Sequence, residues 1–352
     1  MKTSFSDLFP SPKFLEMPVS GMSIDDSSIF FVQLGREKGK NVLKKYDSQD
    51  LPLGILKGGG IINPKELINI LSDFKRKNNL SFLSVSLPEE KAFLFRTNIP
   101  PMPKEEIREA LKFKIEENVP LSSDESLFDF YVVPNKDKNS SGNEVIVSVF
   151  PLAVINEFLD VFLKSGLSPV VFKIRSQSIA ESVIKNGDNR PFLIVDLSNG
   201  RINLCVVNKR LVQFTSNILI EKDFFSSLTF ASDKSAEGVV KEEGANVFKL
   251  SSDKEKFLKE EIDKLLSYWK SFSSFRSDLG VEKIITCGEG VLDPNFKNYF
   301  SHYFSVAAEP ADVWVNLISF TDYIPDLDFK NSLKYAPAIG AALSADSHLS
   351  KI

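Results

Sequence analysis

Histidine and cysteine are almost missing from this sequence, with two of each in 352 residues. His302 and His348 have no partner at ligand or catalytic spacing, which argues against a histidine-dependent hydrolase and a histidine metal site. Cys205 and Cys287 lie far apart, each in an apolar segment. A disulfide scaffold and a thiolate zinc site are therefore not expected, and both cysteines read as small buried hydrophobes. Net charge is only −4 and no long basic run occurs, so nucleic acid is not an expected partner. Long apolar runs are absent as well. "VIVSVF" and "FLIV" have strand length, far short of the roughly 20 residues a membrane helix needs. The first residues lack the long apolar core of a secretory signal, and a cytoplasmic location is the expectation.

What is present reads as a globular protein of two or three domains. The 43% hydrophobic and 26% charged residues are enough to build cores and to solvate their surfaces. The opening "FSDLFPSPKFLEMP" is rich in large apolar residues, Phe5, Leu8, Phe9, Phe14 and Leu15, while Pro10, Pro12 and Pro18 argue against one continuous helix. It reads as an arm packed on the protein's own surface, with contact to a membrane or partner as the alternative.

Along the chain, "SIFFVQLGREKGKNVLKKYDSQDLP" reads as strand, polar turn, strand. "NPKELINILSDFKRKNN" reads as a helix, with Asn63 as N-cap and Pro64 at its first position. The segment from "LSFLSVSL" to "LKSGLSP" gives strand, helix, strand, strand, helix. Its first helix, "KEEIREALKFKIEENV", carries Ile107, Ala110, Leu111, Ile115 and Val119 on one face, has Glu105 and Glu106 in its first turn, and ends at Pro120. "RPFLIVDLSNGRINLCVVNKRLVQFTSNI" then restarts the hairpin pattern of residues 22–47. A long helix follows, and "VEKIITCGEGV" adds a strand and a glycine turn. Two related halves predict a duplicated α/β fold with a cleft between lobes.

Three loops and one helix carry a likeness. "GMSIDDSSIFFVQL", "VDLSNGRINL" and "IITCGEGV" resemble, in order and spacing, the two phosphate hairpins and the adenosine-side glycine turn of the actin/Hsp70 ATPase superfamily. "KEEIREALKFKIEENVPLSSDESLFDFYVV" narrows this to the PilM family of type IV pilus assembly proteins, relatives of the cell-division protein FtsA. The resemblance implies a ribonuclease H-like, two-lobed actin fold with an inserted α+β (SHS2) subdomain. The expected division is a first lobe at 1–79 with its arm, completed by about 169–188; an inserted docking subdomain at 80–168; a second lobe at 189–345, with a helical subdomain at about 220–280; and a polar tail at 346–352.

The same resemblance places candidate ATP and Mg²⁺ contacts, which depart from the family pattern. In an ungapped alignment the first-hairpin aspartate falls on Ser23. Asp25 would substitute through a shifted turn, with Asp26, Ser27 and Ser28 beside it. Asp196 is kept in the second hairpin, followed by Ser198, Asn199 and Gly200, with Ile202 and Asn203 where a threonine is expected. In the third loop Glu289 stands between Gly288 and Gly290, where it would repel phosphate unless it points away. The adenosine-side acid–lysine pair falls on Glu237 and Lys241, four apart where three is expected. Asp25 and Asp196 are the candidate metal ligands. Displacing one Mg²⁺-organising carboxylate can cost several orders of magnitude in rate, so hydrolysis is expected to be weak or absent.

The resemblance thus implies a non-enzymatic scaffold of the pilus inner-membrane platform. It would lie at the inner face of the cytoplasmic membrane through the tail of a PilN-like single-span protein, among other platform proteins or further copies of itself. Phe93, Phe95, Ile99 and Met102 are the candidate partner surface. Two alternatives stay open: an active actin-fold ATPase or sugar kinase, and an FtsA-like membrane-associated filament protein. The polar ending "AALSADSHLSKI" offers the last of these no amphipathic anchor.

Overall fold

A computed structural model of the chain describes residues 19–37, 40–133, 142–198, 200–220, 252–272, 281–294, 296, 299–301, 306–317 and 325–349. Its elements begin with β1 (Val19–Ile24), β2 (Ser28–Glu37) and β3 (Lys40–Asp50), then the short ladder β4 (Leu56–Lys57) and β5 (Gly60–Ile61). Helix α1 (Pro64–Asn78) leads to β6 (Phe82–Leu87). β7 (Phe93–Ile99), α2 (Lys104–Asn118), β8 (Ser126–Val133) and β9 (Asn143–Pro151) follow, then α3 (Leu152–Lys164) and β10 (Ser168–Ile174). α4 (Arg175–Val183) crosses to β11 (Phe192–Ser198), β12 (Arg201–Asn208) and β13 (Leu211–Leu219). The chain continues with α5 (Ser252–Phe272), β14 (Lys283–Gly288), β15 (Ala308–Pro310) and α6 (Ala336–Leu349).

Two five-stranded sheets repeat one topology, β3-β2-β1-β6-β10 and β13-β12-β11-β14-β15. In each, three antiparallel strands are joined by two parallel ones. The expected duplicated two-lobed architecture is thus present strand for strand. Helices α4 and α6 cross each other between the two sheets.

Local chemistry explains the elements. Asn63 caps α1 by accepting the Glu66 N–H at 3.3 Å, Pro64 opens the helix, and Asn79 closes it in the left-handed region at φ 54°. Leu67, Leu71 and Phe74 turn inward onto β1 and β6. In the second lobe, Leu258, Ile262, Leu265 and Trp269 recur at helical spacing on α5 and are buried with β13.

A third sheet, β7-β9-β8, stands apart with α2 laid on it. Its own core joins Phe95, Ile99, Ile107, Leu111, Ile115 and Val147. This unit is narrower than the expected 80–168. β6 and β10 flank the first sheet, and α3 buries Ile155, Phe158 and Phe162 there, because their apolar faces fit the larger lobe. The unit is also bolted to the second lobe. The Arg96 guanidinium of β7 lies 5.7 Å from the rings of both Phe214 and Trp269, and it pairs with Glu144.

Candidate functional site

The cleft between the lobes holds the loops singled out in the sequence. The first turn follows β1. Asp25 is buried, and its Oδ1 accepts the backbone N–H of Ser27 at 3.0 Å and of Ser28 at 2.9 Å, with the Ser28 hydroxyl at 3.1 Å. Ser23, where the ungapped alignment puts the aspartate, is buried and its hydroxyl has no hydrogen-bond partner. The carboxylate in the cleft comes from two residues further on.

Asp26 faces a different set of donors. Gly58 and Gly59 take φ of 57° and 72° in the tight ladder β4–β5, and two such residues in succession turn their N–H groups to one side. Both donate to the Asp26 carboxylate, at 2.7 and 3.0 Å. Such a concave pair of amides suits an anion, and here the anion belongs to the chain itself.

Asp196 sits within β11, paired with Asn203 of β12 on one side and Cys287 of β14 on the other. Asn203 Nδ2 donates to Oδ2 at 3.0 Å, and the Ser198 hydroxyl lies at 3.3 Å. The third loop closes over it. Gly288 has φ 93°, and a Cβ there would lie 2.1 Å from the Leu197 carbonyl and 2.8 Å from Asp196 Oδ1, so only glycine fits. Glu289 lines the same small pocket as Asp25 and Ser28, and its carboxylate pairs there with Lys334 at 2.8 Å.

The residue that joins these loops was not among the sequence candidates. Arg175, the first residue of α4, is buried between the lobes. Its Nε donates to Asp196 Oδ2 at 2.7 Å, its Nη2 to Asp196 Oδ1 at 3.3 Å, and its Nη1 lies 3.6 Å from Asp25 Oδ2. Burial pulls the guanidinium down, but Asp196, by charge and hydrogen bonds, and Asp25 outweigh it and leave the group above its ordinary value. Arg201, beside Gly200 at the second hairpin, makes a second crossing to Asp26 at 3.3 Å and Glu90 at 3.0 Å. Arg201 lies within "VDLSNGRINL", whereas Arg175 lies outside every candidate loop. A cation directly after a phosphate-hairpin glycine was the available signal for Arg201. Arg175 offered only its place at a strand-to-helix junction.

The structure therefore brings together Asp25, Ser27, Ser28, Ser198, Gly288, Glu289 and Arg175 around one small pocket, with Asp196 bonded to Arg175 beside it. Asn199, Glu237 and Lys241 lie outside the described residues. Both cysteines are buried thiols. Burial pushes Cys205 well up, with Glu89 and Asp196 adding, and burial with Asp196 does the same for Cys287. Among the described residues no group of three histidine, cysteine or carboxylate side chains is placed to hold a metal.

The expected partner surface lies largely inward. Phe95 and Ile99 are buried in the small sheet's own core, and Phe93 and Met102 pack against it, because β7 needs its apolar face to seat α2. The exposed apolar side chains lie elsewhere. β8 is an edge strand of the small sheet and β10 an edge strand of the first lobe's sheet. Between them runs a groove of about 500 Å³, lined by Leu127, Tyr131, Val170 and Phe172 together with Lys173 and Arg210. Leu127, Tyr131 and Val170 are 44%, 45% and 44% exposed, an uncommon density of apolar surface for two facing strands.

Comparison with known proteins adds to this geometry. The family model described as type IV pilus assembly protein PilM matches residues 21–219. Among solved structures, a chain of a PilM–PilN type IV pilus biogenesis complex is similar at a TM-score of 0.70 and 18% identity, over 93% of this chain and 98% of that one. MreB5 of Spiroplasma citri bound to ADP is similar at a TM-score of 0.50 and 12% identity, over 95% and 98%. These likenesses show the actin-like two-lobed fold. No curated protein matches the sequence.

Proposed function

The chain belongs to the PilM family of type IV pilus assembly proteins, matched over more than half its length, and from that premise we propose that it is a non-enzymatic scaffold holding the tail of a PilN-like membrane protein. The observation that carries the reading is the groove between β8 and β10. Two edge strands line it, and apolar side chains of both line the space between them. An extended peptide satisfies such an edge through its backbone and reads the groove through alternate side chains. The solved relative that pairs PilM with PilN supports the choice of partner. No helix among the described residues is long and apolar enough to cross a membrane, so a tail of this kind would supply the attachment.

The cleft argues against Mg·ATP turnover. The turn N–H groups that suit a phosphate are taken by Asp25 and Asp26, and the two carboxylates that suit a divalent ion share a guanidinium. These donors and carboxylates are already engaged with one another within the chain, and a metal nucleotide would have to break each of these pairs.

Titration of a fluorescent peptide carrying the partner's cytoplasmic tail tests the proposal. Val170→Arg, which fills the groove with a charge, is expected to weaken binding at least about tenfold, equivalent to about 1.4 kcal/mol. Phe113→Ser, on the exposed face of α2, should leave affinity unchanged. Equal affinity for both variants would move the site away from the groove.

A further inference from the structure

We infer that Arg175 is a resident cation that binds the two lobes together, so that the cleft is closed by the chain itself and no ion or nucleotide is needed to hold it shut. The inference does not rest on the tail-binding reading. Two carboxylates, Asp25 from the first lobe and Asp196 from the second, reach one buried point. Two like charges converging there repel, and burying them costs free energy that only a cation between them offsets. Arg175 supplies it. The planar fork gives Asp196 two hydrogen bonds and still reaches Asp25 with its remaining nitrogen.

The position of Arg175 in the fold makes the bond a link between lobes. It stands where β10 of the first sheet ends and α4 begins, so it sits at the crossover itself. A side chain there moves whenever the lobes rotate, and its two partners lie one in each lobe. Arg201 repeats the device from the opposite direction, from β12 in the second lobe to Asp26 and Glu90 in the first. Arg96 ties the small sheet to the second lobe through Phe214 and Trp269. Both seams onto the second lobe, from the first lobe and from the small sheet, thus carry an arginine.

The consequence is a latent metal site. With the guanidinium gone, Asp25 and Asp196 become two unpaired carboxylates converging on one space, which a small divalent ion would fill. The test follows Mn²⁺ by electron paramagnetic resonance and thermal unfolding in the full chain. Wild-type protein is expected to bind no Mn²⁺ in the cleft, and its Tm should not move with Mn²⁺ or with Mg·ATP. R175A should unfold about 5 °C or more lower, should take up one Mn²⁺, and should regain part of the lost Tm with it. R175Q/D196N, which neutralises the pair together, should unfold above R175Q and show no Mn²⁺ response; it keeps the proposal testable if R175A does not fold. Stoichiometric Mn²⁺ or Mg·ATP binding by the wild type would overturn the inference. So would a folded R175A that ignores Mn²⁺, or an R175Q/D196N no more stable than R175Q.

Discussion

Gly340→Ala is expected to destabilise the protein by about 3 kcal/mol or more, although alanine is the better helix former by about 1 kcal/mol. The reason is the crossing of α4 and α6. A Cβ on Gly340 would lie 1.7 Å from the carbonyl oxygen of Ser178 and 2.5 Å from its carbonyl carbon, both backbone atoms with no rotamer to escape into. The helices must separate by more than an ångström, which a close-packed interior resists. On the other side of α6, a Cβ on Gly21 of β1 would lie 1.9 Å from the Ala338 carbonyl, so the helix cannot shift that way. Urea unfolding of Gly340→Ala beside Gly60→Ala checks the claim. Gly60 has no positive φ, and its nearest neighbour to a new Cβ stands at 3.5 Å. Similar midpoints for the two variants would show that the crossing is not the tight seam described.

The crossing also explains why a distant glycine matters to the cleft. Arg175 opens α4, three residues before Ser178, and its hydrogen bonds to Asp196 tolerate little displacement. Gly340→Ala should therefore weaken the arginine link as well as the helix packing.

Much of this fold was legible from local chemistry. Asn63 and Pro64 announced α1, and the spacing of Ile107, Leu111 and Ile115 announced the buried face of α2, because a cap and a 3.6-residue period are written in neighbouring residues. The repeated hairpin pattern announced two related sheets. What stayed hidden depended on contacts between distant segments. Asp25 and Asp196 lie on opposite sides of Arg175 in the chain, and nothing local says that the three meet. Nothing within "APAIGAAL" says that Gly340 must be glycine, because the carbonyl that requires it belongs to α4. Phe93, Phe95, Ile99 and Met102 looked like surface for a partner because a strand's sequence shows its apolar face without showing what covers it; α2 does. The edge of the small unit was hidden for a related reason. β6 alternates like any strand, and only its parallel pairing with β1 and β10 assigns it to the first lobe.

Glu89 should make stability fall as pH rises through the weakly acidic range. It follows β6 in a short helical turn, Glu89–Lys91, and is wholly buried at the junction of the lobes. Its carboxyl meets the N–H of Ser176 at 2.9 Å and the Ser176 hydroxyl at 2.8 Å. Burial pushes its pKa up to about 7, against the lowering effect of hydrogen bonds from Ser176 and Thr215, with nearby Glu90 adding to the rise. The unfolded chain should titrate the same group near the ordinary glutamate value, about 4.3. Between those two values the native state holds a proton that the unfolded state releases. The stabilisation is therefore complete below about pH 4.3, declines through the interval, and is gone above about pH 7. The full change amounts to about 4 kcal/mol. Glu89→Gln isolates it, since the amide oxygen can accept the Ser176 N–H and the amide nitrogen can donate to the Ser176 hydroxyl. The stability difference, variant minus wild type, should rise by about 3 kcal/mol of this between pH 4.5 and 7.5 and level off on either side. Parallel profiles for the two proteins would mean that Glu89 enters the fold already ionised. In that case the junction of the lobes would carry an additional buried negative charge beside Arg175, and the charge balance derived for the cleft would have to be redrawn.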